Sequence, residues 1–206
     1  MSAVPTSEEL EELFSSGALV PVGKGRRRVC CRIPGTDLCV KCYHSSAVPN
    51  ATVAREIARA RFDARRNTCC QEARYWQELK DRIPSDLFEV FPSVCTCVFT
   101  PSHGWCEVES HYEGLRRFTL AYRAAGAGQA ELLARFRRLI DGFVRHAVRF
   151  YDTQNVMVQP EDRLRIVDFE PASRVLIPLE RLSSLFVRRK VARRAKRYLK
   201  DHLGIG

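Results

Sequence analysis

Along this chain the spacing of apolar residues switches between a period of two and a period of 3.6, and that alternation limits what it can fold into. Residues 18–43 have strand texture. Leu19-Val20-Pro21-Val22 and Arg28-Val29-Cys30-Cys31 are followed by a turn at Pro34-Gly35-Thr36-Asp37, then by Leu38-Cys39-Val40-Lys41-Cys42-Tyr43. Residues 51–81 turn helical, with a break near Asn67, and residues 87–109 return to strand texture, split by Pro101-Ser102-His103-Gly104. After a Gly-rich loop at 126–128 comes the strongest helix. Leu132, Leu133, Phe136, Leu139, Ile140, Phe143, Val144, Ala147 and Val148 make its wide apolar face. Thr6 and Glu9 form a capping box for a first helix that Gly17 stops, and Thr68 with Gln71 offers a second box. The order predicts an α+β chain. Residues 18–109 form a β-rich front lobe containing helix 51–81. Residues 110–206 form a mainly helical back lobe with a hairpin at 155–168 and a basic helix at 184–200.

The 206 residues are enough for one good core, or for two small lobes sharing a cleft. No run approaches the ~18 apolar residues of a membrane span. The segment Ser7-Glu8-Glu9-Leu10-Glu11-Glu12 lacks the basic-then-apolar order of a signal peptide, so a cytoplasmic protein is expected. The nine cysteines then read as reduced thiols. Cys39-Val40-Lys41-Cys42, with Cys30-Cys31 upstream and His44 beside it, also admits a zinc reading. Net charge is +10, and it is concentrated. Residues 185–200 hold eight cations and no acid, on an amphipathic helical pattern. Such a helix either docks by its apolar stripe with its cations solvated, or handles phosphate-bearing material: nucleic acid, anionic lipid or a phosphorylated saccharide.

The chemistry-bearing residues are spread along the chain. Gly23-Lys24-Gly25 lies in a strand-turn-strand, where glycines let backbone N–H groups approach phosphates. Lys41 lies within a strand, where an ammonium must reach water or an anion. Alternation puts Cys39 on its face, with Cys30 across from them, giving a small apolar ceiling of the kind an adenine needs. Glu72 on the next helix is positioned to pair with Lys41. Further on, Val156-Met157-Val158 and Arg163-Leu164-Arg165-Ile166-Val167 read as a hairpin around Gln159-Pro160-Glu161-Asp162. Asn155 and Asp168 flank it. Together they offer oxygen ligands suited to Mg²⁺, although an Asn and an Asp in such places also cap turns.

These residues carry a resemblance. Pro21-Val22-Gly23-Lys24-Gly25-Arg26-Arg27-Arg28-Val29-Cys30 with Cys39-Val40-Lys41, then Gln71-Glu72-Ala73-Arg74-Tyr75-Trp76, then Gln154-Asn155-Val156-Met157-Val158, resemble the YrbL family of small bacterial proteins, named for the PhoP regulatory network. That family in turn resembles protein kinase-like folds. The resemblance implies a minimal kinase-like fold, with a cleft between lobes that binds ATP and Mg²⁺. It gives Lys41 the phosphate-binding role, Glu72 the role of its partner, Asn155 that of the catalytic-loop asparagine and Asp168 that of the metal-binding aspartate. Arg28 stands where kinases keep a third glycine. Phe150 stands where they keep the catalytic aspartate, leaving Asp152 as the nearest carboxylate. The stretch from Asp168 to Gly206 is short for a substrate-docking region. The expectation is a small phosphotransferase, acting on a small molecule, glycolipid or protein, or a pseudokinase that binds nucleotide without turnover. An anionic acceptor held by the basic helix would be its further partner. A plain nucleic-acid- or lipid-binding protein is the rival.

Overall fold

A computed structural model describes residues 2–24, 28–43, 51–150, 152–169 and 184–205. The chain is mixed α+β and forms two compact units. Met1–Glu78 with Pro92–Tyr112 make the first, and Leu79–Phe91 with Glu113–Gly206 make the second.

The first unit begins with helix α1 (Ser7–Ser16), closed by the expected capping box of Thr6 and Glu9 and by Gly17 in the left-handed conformation. Strands β1 (Val20–Lys24), β2 (Arg28–Arg32) and β3 (Leu38–Tyr43) follow. Helices α2 (Ala51–Phe62) and α3 (Thr68–Arg82) come next, then α4 (Ser85–Phe88), which belongs to the second unit. Strands β4 (Cys95–Thr100) and β5 (Gly104–Ser110) complete a five-stranded antiparallel sheet in the order β1-β2-β3-β5-β4. Edge strand β1 is fully exposed, carries Pro21 and bulges between Pro21 and Gly23, features that blunt an open edge.

Alternation gives the sheet two different faces. On one, Cys31, Ile33, Leu38, Val40, Cys42, Cys106 and Val108 bury against Leu10 of α1. The other bears Lys41, Glu107 and Glu109 and receives α3. The cap of α3 differs from the predicted Thr68/Gln71 box. Asn67, fully buried, accepts through Oδ1 from the backbone N–H of Cys69 (2.8 Å) and Cys70 (3.4 Å), while its amide donates to the carbonyls of Arg61 and Trp105. The Thr68 hydroxyl instead meets the Tyr43 phenol at 2.9 Å, because that end of the helix packs on the sheet. Trp76 secures the same helix by donating to the Pro92 carbonyl at 2.7 Å.

In the second unit, strands β6 (Arg116–Arg117), β7 (Val156–Gln159) and β8 (Arg163–Ile166) form a three-stranded antiparallel sheet in that order. Helix α5 (Phe118–Ala124) packs on β6 and β7, α6 (Gln129–Arg145) packs on α5, and α7 (Ser184–Leu203) packs on α6. The α6 stripe buries Leu132, Phe136, Leu139, Ile140 and Phe143. The helix ends before the predicted Val148, because Ala147 takes a φ of 50°. The β7–β8 hairpin stands as its alternation predicts, with Val156↔Ile166 and Val158↔Leu164 in register.

Candidate functional site

Five ionisable side chains converge on the α3 side of the first unit's sheet. Register does most of the positioning: Cys30 pairs with Lys41, Lys41 with Glu107, and Cys39 with Glu109. Glu72 descends from α3. The Lys41 ammonium lies 2.9 Å from Glu109, 3.5 Å from Glu107 and 3.7 Å from Glu72. The Arg28 guanidinium meets Glu72 at 2.7 Å and Glu107 at 3.6 Å. Glu72 and Glu107 are fully buried, and Lys41 is 8% exposed. None of the three carboxylate contacts gives Lys41 Nζ a well-directed hydrogen bond.

Burial sets the protonation, and the charges then modify it. Burial alone would push the Lys41 ammonium down, but Glu107, Glu109 and Glu72 together hold it well above the usual lysine range. Burial pushes Glu107 well above the usual carboxylate range, helped by the neighbouring Glu72 and only partly opposed by Lys41. Burial also acts to raise Glu72, yet Arg28 and then Lys41 bring it below its ordinary value. Two cations and three carboxylates thus share one poorly hydrated site, where each charge depends on its neighbours for compensation.

The surrounding sulfurs are thiols. All nine cysteines are free. Cys39 approaches Glu109 Oε1 at 3.7 Å and Cys95 approaches Glu107 Oε1 at 3.6 Å, as weak S–H donors. The Cys70 and Cys97 sulfurs lie 2.7 Å apart and bring α3 onto β4. The predicted apolar ceiling of Cys39 and Cys30 beside Lys41 is therefore a mixed one, with carboxylates next to the sulfurs. The zinc reading fails on geometry: Cys39 and Cys42, three apart in one strand, face opposite sides of the sheet. Among the described residues no three His, Cys, Asp or Glu side chains gather to hold a metal ion.

Of the other candidates in this unit, Gly23 pairs with Cys30 and Lys24 with Val29 on the exposed edge strand. Gly25, like His44, lies outside the described residues.

In the second unit Asn155 and Asp168 come together across the hairpin base. The Asn155 amide donates to the Asp168 carbonyl at 2.7 Å, and the Val167 N–H to the Asn155 carbonyl at 3.1 Å. Asp168 does not end a strand, as its sequence position predicts. It follows β8 by two residues and adopts a φ of 55°, a conformation that Asp tolerates better than most side chains. Phe169 anchors it from behind, buried edge-on against Phe91 at 5.4 Å. Asp152 is exposed and accepts from the Gln154 amide at 3.0 Å. Phe150 is 2% exposed and packs edge-on against Phe143.

The structure thus unites Lys41 with Glu72 and, separately, Asn155 with Asp168. It adds Arg28, Glu107 and Glu109, which sequence reasoning did not select. The signal for two of them was present: Glu107 and Glu109 alternate with Cys106 and Val108, placing two carboxylates on one strand face. No protein-family model matches the chain, and no curated protein matches it.

Proposed function

We propose that this chain is a kinase-like protein that binds ATP with Mg²⁺. The observation that carries the reading is the buried ion pair of Lys41 on β3 with Glu72 on α3. A lysine oriented from behind by a glutamate is a fixed positive charge suited to nucleotide phosphates, and phosphoryl transfer depends mainly on such positioning and neutralisation. Among the described residues Lys41 Nζ is buried without a directed hydrogen bond, so it has donor capacity for a phosphate oxygen. That oxygen would compete with Glu109, whose 2.9 Å contact is the closest of the three.

In the second unit Asn155 and Asp168 fit a hard cation. The Asn155 amide nitrogen is engaged, and among the described residues its Oδ1 has no hydrogen bond; Asp168 is an exposed residue. When bound there, Mg²⁺ would neutralise phosphate charge. Asn155 would present its amide oxygen, fixed by the bond from its own Nδ2, and Asp168 would present a carboxylate oxygen.

Phe150 favours a second reading, nucleotide binding without turnover. The residue at the position of the expected catalytic aspartate is a core side chain, and Asp152 is the carboxylate left to act as base. Thermal melts with millimolar MgATP, paired with ATP-consumption assays, separate the readings. Stabilisation that is reduced in Lys41→Ala and Asp168→Asn is expected. Turnover that Asp152→Asn abolishes would favour the enzyme, and stabilisation without turnover the binding module. Absence of any shift would overturn both.

A further inference from the structure

The proposed nucleotide chemistry makes no use of α7, the most highly charged element of the chain. Its buried stripe is Val187, Val191, Ala195, Tyr198 and Leu199. The opposite side is exposed and carries Arg189, Arg193, Lys196, Arg197 and Lys200. From Ser184 to Lys200 the helix contains no acid. Cations therefore follow one another at i, i+4, as in Arg189–Arg193–Arg197, an arrangement that destabilises an isolated helix. A helix serving only to pack its stripe would gain from alternating acids. Two large apolar side chains interrupt the cationic side in its first turn: Leu185 is 54% exposed and Phe186 40%. At 3.6 residues per turn Phe186 lies on the same face as Arg189, Arg193 and Arg197. The Lys190 ammonium is 5.7 Å from its ring centroid.

Charge complementarity calls for a polyanionic partner, and the apolar pair selects among polyanions. A nucleic-acid backbone satisfies the cations and offers little to an exposed Leu-Phe step. A lipid surface accepts both, phosphates at the headgroups and apolar side chains at the acyl boundary. We infer that α7 lies along an anionic lipid surface, its cationic side on headgroup phosphates and Leu185 and Phe186 at the headgroup–acyl boundary. The contact is peripheral, since no helix among the described residues is long and apolar enough to cross a membrane. The helix is already seated on its own unit: Arg188 donates to the Arg145 carbonyl at 3.0 Å, so the face is presented by a formed helix.

The test is flotation of the full chain with vesicles of phosphatidylcholine alone or mixed with phosphatidylglycerol, at rising salt, with a homopolymeric RNA as competitor. Binding is expected only to the anionic vesicles, and it should weaken with salt. Each cation removed should weaken it about fivefold, so changing Arg189, Arg193, Lys196 and Arg197 to Gln together should bring it to background. Leu185→Ser with Phe186→Ser should weaken binding while leaving its salt dependence. In Phe186→Trp the indole emission should shift to the blue on anionic vesicles. Melting curves of each variant show that it is folded. Equal binding to both vesicle types, no binding, or stronger binding to RNA that ignores Leu185 and Phe186 would overturn the inference. MgATP stabilisation should be the same in all these variants, so a failure here is separate from a failure of the nucleotide reading.

Discussion

The guanidinium of Arg28 lies 2.7 Å from Glu72, closer than the 3.7 Å ammonium of Lys41. Glu72 therefore bridges the two cations, as Glu107 does at 3.6 and 3.5 Å, and its shorter contact is to Arg28. Two cations this close in a poorly hydrated site depend on the carboxylates between them.

Removing this anion should be expensive. Glu72→Gln keeps the shape of the side chain but leaves Arg28 and Lys41 undercompensated. A loss of about 3–5 kcal/mol is expected from urea unfolding. A loss near zero would mean that the cluster is wet or mobile in solution.

Glu107 makes stability fall as pH rises. Its native pKa is raised, so the folded chain keeps a proton that the unfolded chain releases. The stabilising contribution is complete below the ordinary 4.5 and drains as pH climbs from there toward the native value. The slope approaches about 1.4 kcal/mol per pH unit within that window. Glu72, with its pKa lowered, acts on the other side: its contribution is present above 4.5 and is lost as pH falls through the native value. Glu107→Gln should flatten the decline that begins above pH 4.5 and leave the acid limb in place. Unfolding free energies from about pH 3 to 9 provide the check.

Phe150 should not accept a carboxylate. Phe150→Asp would bury a charge against Phe143 and empty a large volume, so a loss of about 4 kcal/mol or more is expected. Phe150→Leu should cost far less. Chemical denaturation compares them, and wild-type stability in Phe150→Asp, with turnover gained, would show that the position opens.

Two glycines with nearly the same backbone should respond differently to alanine. Gly104 has a φ of 73°, and a Cβ there would fall against the Arg61 carbonyl. Gly35 has a φ of 72° and nothing within 4 Å of its would-be Cβ. Gly35→Ala should cost about 1 kcal/mol, from backbone strain alone, while Gly104→Ala adds a backbone collision and should cost about 2–3 kcal/mol. Thermal melts of both variants test the ordering.

Local order was legible from local residues. The Thr6/Glu9 box, the Gly17 stop, the break at Asn67, the β7–β8 hairpin and the α6 stripe follow from side-chain period and capping chemistry within a few residues. A strand followed by a helix allowed Lys41 to pair with Glu72 without deciding that they meet; the packing of α3 brings them to 3.7 Å. Tertiary structure decided the rest, because it turns on pairings between segments far apart in the chain. β5 inserts beside β3, and only that strand order brings Glu107 and Glu109 onto Lys41. Packing of α3 on the sheet gave its cap to Asn67 and turned Thr68 to Tyr43. Core packing claimed Phe150 for Phe143. Period and capping are properties of neighbours along the chain, whereas register, strand order and burial depend on the free energy of the whole packed unit.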